Sequence, residues 1–244
     1  MNPSKLSDIQ KPWQKRTWVQ MLAIAIGILP IYITTIVYHV QSDQPLTMRN
    51  VLQYSIGVGI VSIIVILLLL RYLCGERIRD LNLKEGHGWK DILVGIGISV
   101  LTLVVQFLFS NPISKLFPRK PDSGLGTVFN EMVQNPWLFA MFVGPSLLIG
   151  AGIFEELTRV FLLSRLWNMW TNNVWRWVGI VISAVLFGLA HIYQGPGGIV
   201  MTGIFGMIMA VYYHYFGRVA PMMIAHYLND AFQIAMIYIM ANTA

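Results

Sequence analysis

Charge is what this sequence has least of. Of its 244 residues, 11% are charged and 56% are hydrophobic. A soluble globular protein carries about 25% charge, and so thin a supply cannot cover a surface that faces water. Disorder is excluded by the same figures, because disordered chains are poor in apolar residues. Cysteine is nearly missing as well. The single Cys74 excludes an internal disulfide and any metal site built on two or four thiolates. There is no internal repeat, no low-complexity tract, and no H-E-x-x-H signature of a soluble zinc protease. Nucleic acid has no motif to support it, although the net charge is +6.

What is there is long and apolar. A helix needs about 20 apolar residues to cross a bilayer. The candidate spans are 19–40, 51–73, 92–110, 147–168, 177–194, 198–216 and 219–240. The fold class expected is therefore all-α: a polytopic integral membrane helix bundle with about seven transmembrane helices. The first span is too long for a cleaved signal, and no small-residue cleavage site follows it. Residues 137–143 read as a short re-entrant or interfacial piece, with one long kinked helix as the alternative, because Gly144, Pro145 and Ser146 interrupt the pattern. Residues 111–136 read as a surface loop with a short helix around 127–134. Gly195-Pro196-Gly197-Gly198 reads as a tight turn. The glycines at 57 and 59, 95 and 97, 150 and 152, and 203 and 206 read as helix contact points. Residues 1–18 read as a basic cytoplasmic segment and 19–244 as one bundle.

Tryptophan and the basic residues orient the chain. Trp13, Trp18, Trp89, Trp137, Trp167, Trp170, Trp175 and Trp177 all lie at or near span ends, at headgroup level. With the N-terminus in the cytoplasm, twelve basic residues lie inside: Lys5, Lys11, Lys15, Arg16, Arg71, Arg77, Arg79, Lys84, Lys90, Arg165, Arg176 and Arg218. Four lie outside: Arg49, Lys115, Arg119 and Lys120. The positive-inside rule favours this orientation, and seven spans then put the C-terminus outside. His39, His87 and His214 fall in loops or at span ends and read as solvated.

Six ionisable residues fall well inside apolar spans: Glu155, Glu156, Arg159, His191, His226 and Asp230. Charged groups at a helix centre cost about 2.5–3.5 kcal/mol each, so they are functional candidates by default. Glu155 and Arg159 are i,i+4 and share a face, as do Phe187 and His191, and His226 and Asp230. Glu156 is about 100° round from Glu155, so both carboxylates can reach one cavity. Such a set suits two chemistries. In one, His191, His226 and Glu155 hold zinc and a second carboxylate takes a proton from its water. In the other, no metal is used: a carboxylate activates water, and an imidazole or amide stabilises the oxyanion. Buried carboxylates and histidines also make proton relays, so a proton-coupled transporter is a rival reading.

The three motifs Glu155-Glu156-x-x-Arg159, Phe187-x-x-x-His191 and His226-x-x-x-Asp230, in this order, resemble those of the CPBP family, the CAAX protease and bacteriocin-processing (Abi) intramembrane proteases. The resemblance covers about residues 130–235. It implies a membrane helix bundle with the site inside. It implies hydrolysis of a peptide bond in a membrane-associated substrate, for example a prenylated CaaX-type or bacteriocin-like protein. By it, Glu155 activates water, His191 and His226 serve as metal ligands or oxyanion-stabilising groups, and Asp230 takes the place of the family's Asn/Asp. Glu156 and Arg159 support the first glutamate. The arginine stands one position earlier than in the family's E-E-x-x-x-R, which would turn it toward Glu155 at i+4. Asn229 is an alternative amide beside Asp230. Some branches of the family act as non-catalytic immunity or scaffold proteins. The bilayer and a peptide or protein substrate are the partners implied.

Overall fold

A computed structural model describes residues 11–40, 47–84, 86, 88–117 and 125–243, without the side chains of 34, 36–40 and 125. The first ten residues, His87, Arg119 and Lys120 lie outside the described residues, as does the side chain of His39. The described residues form helices and no strand. Eight helices follow one another: α1 (Thr17–Val40), α2 (Met48–Cys74), α3 (Trp89–Leu116), α4 (Leu125–Gln134), α5 (Pro136–Met169), α6 (Asn173–Ala190), α7 (Gly195–Phe216) and α8 (Ala220–Thr243). Five of them, α2, α3, α5, α6 and the stretch Ile192–Phe216, are long and apolar enough to cross a membrane. A shorter apolar helix lies at Thr17–Ile33. Phe107, Leu108 and Leu116 are among many large apolar residues exposed on the outside, which suits lipid rather than water.

Local chemistry sets several boundaries. Asn135 accepts from the backbone N–H groups of Trp137 and Leu138, and Asn172 from Trp175 N–H, capping α5 and α6. Thr47 caps α2 through Asn50 N–H, and Glu131 of α4 accepts from Met48 N–H at the same end. Gly75 and Gly217, with φ of 70° and 61°, close α2 and α7 in the left-handed region.

The sequence reading needs four corrections here. Residues 137–143 are no separate piece: α5 runs unbroken for 34 residues. It passes Pro145 by widening into π-helical turns at Phe142–Ser146 and Leu148–Glu155. A proline leaves a carbonyl unpaired and crowds the preceding turn, and wider turns relieve both. The expected loop 111–136 starts later than read, since α3 continues through Pro112 to Leu116, while the short helix expected around 127–134 is α4, Leu125–Gln134. The fifth span ends at Ala190 rather than 194. The glycine pairs do not act as pairs in two cases. A Cβ at Gly59 or Gly95 would meet Ile149 or Ile224, whereas Gly57 and Gly97 face open space. Residues two apart on a helix point in different directions.

The centre of the bundle is the second half of α5, where Leu157, Val160, Phe161 and Leu163 are fully buried. Contact registers give the helix directions. Gln20 and Gly27 of α1 meet Arg165 and Phe161 of α5, so these two are antiparallel. Tyr32 and Thr35 of α1 reach Leu186 and Ala190 of α6, in parallel. Asp91 and Gly95 of α3 meet Arg218 and Ile224, so α3 and α8 run in parallel. Ser55 and Gly59 of α2 meet Ser146 and Ile149, again in parallel. These registers are those of seven helices alternating in direction, with the short α4 outside the count.

Two side chains differ from their expected surroundings. Arg165, counted with the cytoplasmic basic residues, is buried, ion-paired with Glu76 and bonded to Gln20 at 3.1 Å. His214 is half-buried among Trp167, Trp177 and Tyr215 rather than solvated.

Candidate active site

Glu155 and Glu156 stand where π-helical backbone gives way to regular α-helix within α5. π-helical turns occur often at functional sites because they re-aim side chains. The two glutamates approach one imidazole from opposite sides. His226 Nδ1 lies 2.7 Å from Glu156 Oε1, and its Nε2 lies 3.7 Å from Glu155 Oε2 and 3.6 Å from Asp230 Oδ2. His226 is buried, while Glu155 and Asp230 are half-buried.

Arg159 corrects an expectation. It does not pair with Glu155. Its Nε and Nη2 each donate to Glu156 at 3.0 Å, a bidentate pair at i,i+3. Neighbours three and four apart both lie within reach on a helix. Arg159 also lies over the Phe187 ring, 4.0 Å from its centroid, a cation–π contact. Gly206 of α7 makes room for it, because a Cβ there would come within 2.7 Å of Arg159 Nη1.

A chain of groups results: Arg159 fixes Glu156, Glu156 fixes His226, and His226 faces Glu155 and Asp230. A carboxylate can only accept when ionised. The Nδ1 of His226 therefore carries the proton, and Nε2 is left to face the other two carboxyl groups. His191, just past the end of α6, follows the same logic. Its Nδ1 is 2.9 Å from the Phe187 carbonyl, an acceptor, so Nδ1–H donates and Nε2 presents a lone pair. The Phe187 ring contacts both imidazoles, at 4.8 Å to His191 and 5.9 Å to His226. Of Asn229 and Asp230, it is Asp230 that meets His226. Asn229 is buried and accepts from Gln233 at 3.2 Å.

Glu155 Oε2 is buried with no hydrogen-bond partner among the described residues. Glu155 lines a cavity of about 30 Å³, together with Tyr32, Thr158, Arg159 and Phe187. That volume is enough for water. Tyr32 and Thr158 were not legible as site residues, because neutral hydroxyls are common in membrane spans and carry no penalty large enough to mark them.

Two imidazoles with Nδ1 held and Nε2 free have the donor chemistry of metal ligands. As placed, however, the donors do not converge on one ion. Among the described residues, no group of three or more His, Cys, Asp or Glu is positioned to hold a metal.

Comparison with known proteins adds a family match over part of the chain. No curated protein and no solved structure matches the chain significantly. Residues 135–232, which contain all three motifs, match the model of the family described as type II CAAX prenyl endopeptidase, Rce1-like. The match agrees with the CPBP resemblance of the motifs and supports a protease embedded in the membrane.

Proposed function

We propose that this chain is an intramembrane endopeptidase in which Glu155 activates water for attack on a peptide bond. The substrate is a membrane-associated protein, prenylated CaaX-type or bacteriocin-like. The catalytic unit occupies about residues 130–235, with the N-terminus cytoplasmic and the C-terminus outside. The observation that carries the reading is the buried Oε2 of Glu155, which accepts no hydrogen bond and lies 3.7 Å from His226 Nε2, on a residue that lines a cavity with room for water.

The reaction balances without any other reagent. Glu155 takes one proton from water, and the hydroxide adds to the scissile carbonyl carbon. The tetrahedral intermediate collapses, the C–N bond breaks, and the proton on Glu155 passes to the leaving amine. His226 Nε2, adjoining both Glu155 and Asp230, is the group placed to hold or hand on a proton there. Glu156 and Arg159 keep that imidazole in one orientation and tautomer. The apolar helices around the site keep the local dielectric low, which strengthens each of these interactions.

The test is cleavage of a membrane-anchored CaaX-type reporter by Glu155→Gln protein, with membrane levels checked in parallel. Loss of about 10²–10⁴ in rate is expected, the usual contribution of a general base. Insertion should be unaffected, because a neutral amide is easier to bury than a carboxylate. Wild-type cleavage by Glu155→Gln would sink the assignment and favour a transporter or non-catalytic scaffold.

A further inference from the structure

α1 lies outside the matched segment 135–232, yet it is built into the site. It sits between α5 and α6. On one side Gly27 packs against Phe161 so closely that a Cβ would come within 2.6 Å of the ring. On the other, the Tyr32 hydroxyl donates to the Leu186 carbonyl at 3.0 Å, and the buried Thr35 hydroxyl lies 2.6 Å from the Ala190 carbonyl. Those two carbonyls belong to the last two turns of α6, which lead into His191. One turn beyond Gly27, Ile28, Ile31 and Tyr32 form a wall of the cavity that Glu155 also lines. Leu162 and Leu186 make the lining across from them mainly apolar.

We propose that α1 is the specificity wall of this site. Ile28 and Ile31 limit the size of the side chain of the substrate residue seated beside the scissile bond. This rests on the endopeptidase reading above. An apolar seat gains from each methylene that fits and rejects those that do not. One methylene of difference changes kcat/KM by roughly 10–200-fold. Tyr32 and Thr35 fix the distance between this wall and the turn that carries Phe187 and His191, so the width of the seat is set by hydrogen bonds as well as by packing.

The experiment uses the full chain in liposomes and a farnesylated CaaX-type peptide series. The residues flanking the scissile bond are varied through Ala, Val, Leu and Phe. Within each variant the readout is the ratio of kcat/KM for the larger to the smaller side chain, which does not depend on the fraction folded. Ile31→Ala and Ile28→Ala should raise that ratio at least tenfold, and Ile31→Phe should lower it. Should Ile31→Ala fail to accumulate, Ile31→Val removes one methylene and should shift the ratio in the same direction. An active wild type whose ratio is unchanged in all these variants overturns the role of α1 and leaves the endopeptidase reading standing. A wild type that cleaves none of the peptides overturns the seat proposed here together with the CaaX-type form of the endopeptidase reading.

Discussion

The Oε1 of Glu156 lies 2.7 Å from Nδ1 of His226, a residue 70 positions further along the chain. The same carboxylate takes two hydrogen bonds from Arg159. Glu156 therefore joins α5 to α8 and neutralises a guanidinium that is otherwise buried. Removing one member of a buried pair leaves an uncompensated charge and costs about 3–5 kcal/mol. Glu156→Ala should thus lower stability by that amount, seen as reduced accumulation and an earlier melting transition in detergent. Glu155→Ala should melt near the wild type, because Glu155 Oε2 has no hydrogen-bond partner to lose. Equal destabilisation by the two substitutions would contradict this division of labour.

Gly206 supplies a test of the same chain that touches no charge. A Cβ at this position meets Arg159 Nη1 at 2.7 Å and a Phe187 ring carbon at 3.0 Å. Gly206→Ala must push the guanidinium, the ring or both. Overpacking of this kind costs about 1–3 kcal/mol. Reporter cleavage should fall more than stability does, since Arg159 acts on His226 through Glu156. A Gly206→Ala protein with wild-type kcat and melting temperature would show that Arg159 does not need its observed position.

Much of the site could be read from the sequence because lipid makes ionisable groups costly, so Glu155, Glu156, Arg159, His226 and Asp230 stood out one by one. Their spacing brings them to common faces, and Glu155, Glu156 and Asp230 meet around the His226 imidazole, with Arg159 bonded to Glu156 behind it. What could not be read was partner choice. Arg159 is i+4 from Glu155 and i+3 from Glu156, and spacing alone does not decide between them. The π-helical stretch ending at Glu155 was also hidden, although Pro145 hinted at an irregularity. The Arg165–Glu76 pair joins residues 89 apart, and both ends looked like ordinary cytoplasmic charges. Tyr32 and Thr35 carry no charge, so nothing in the pattern of α1 revealed their bonds to α6.

The metal question has a direct answer in activity. His226 Nε2 lies within 3.7 Å of Glu155 Oε2 and Asp230 Oδ2, yet no group of three or more described His, Cys, Asp or Glu is positioned to hold an ion. Exhaustive chelation should therefore leave reporter cleavage within about twofold of the untreated rate, whereas a metal site would lose both ion and activity. Abolition by chelator, restored by zinc and lost with His191→Ala, would establish the zinc chemistry instead.

Arg165 and Glu76 allow stability to be separated from catalysis. Arg165 is buried, ion-paired with Glu76 and further bonded to Gln20. It follows Glu155 by ten residues on α5, or about 15 Å at 1.5 Å per residue. Arg165→Met alone leaves the Glu76 carboxylate facing an apolar side chain and should cost about 3–5 kcal/mol. Adding Glu76→Gln removes that charge. The double variant should recover most of the loss, because an ion pair replaced by well-packed neutral groups is often neutral in stability. Thermal melting of both variants in detergent gives the comparison, with kcat per folded molecule measured on the same samples. The kcat of the double variant should match the wild type, since neither residue touches the His226 cluster. Additive losses from the two substitutions would show that Arg165 and Glu76 act independently. A kcat loss in a fully folded double variant would show that this pair, and not only the chain from Arg159 to Glu155, sets the geometry of the site.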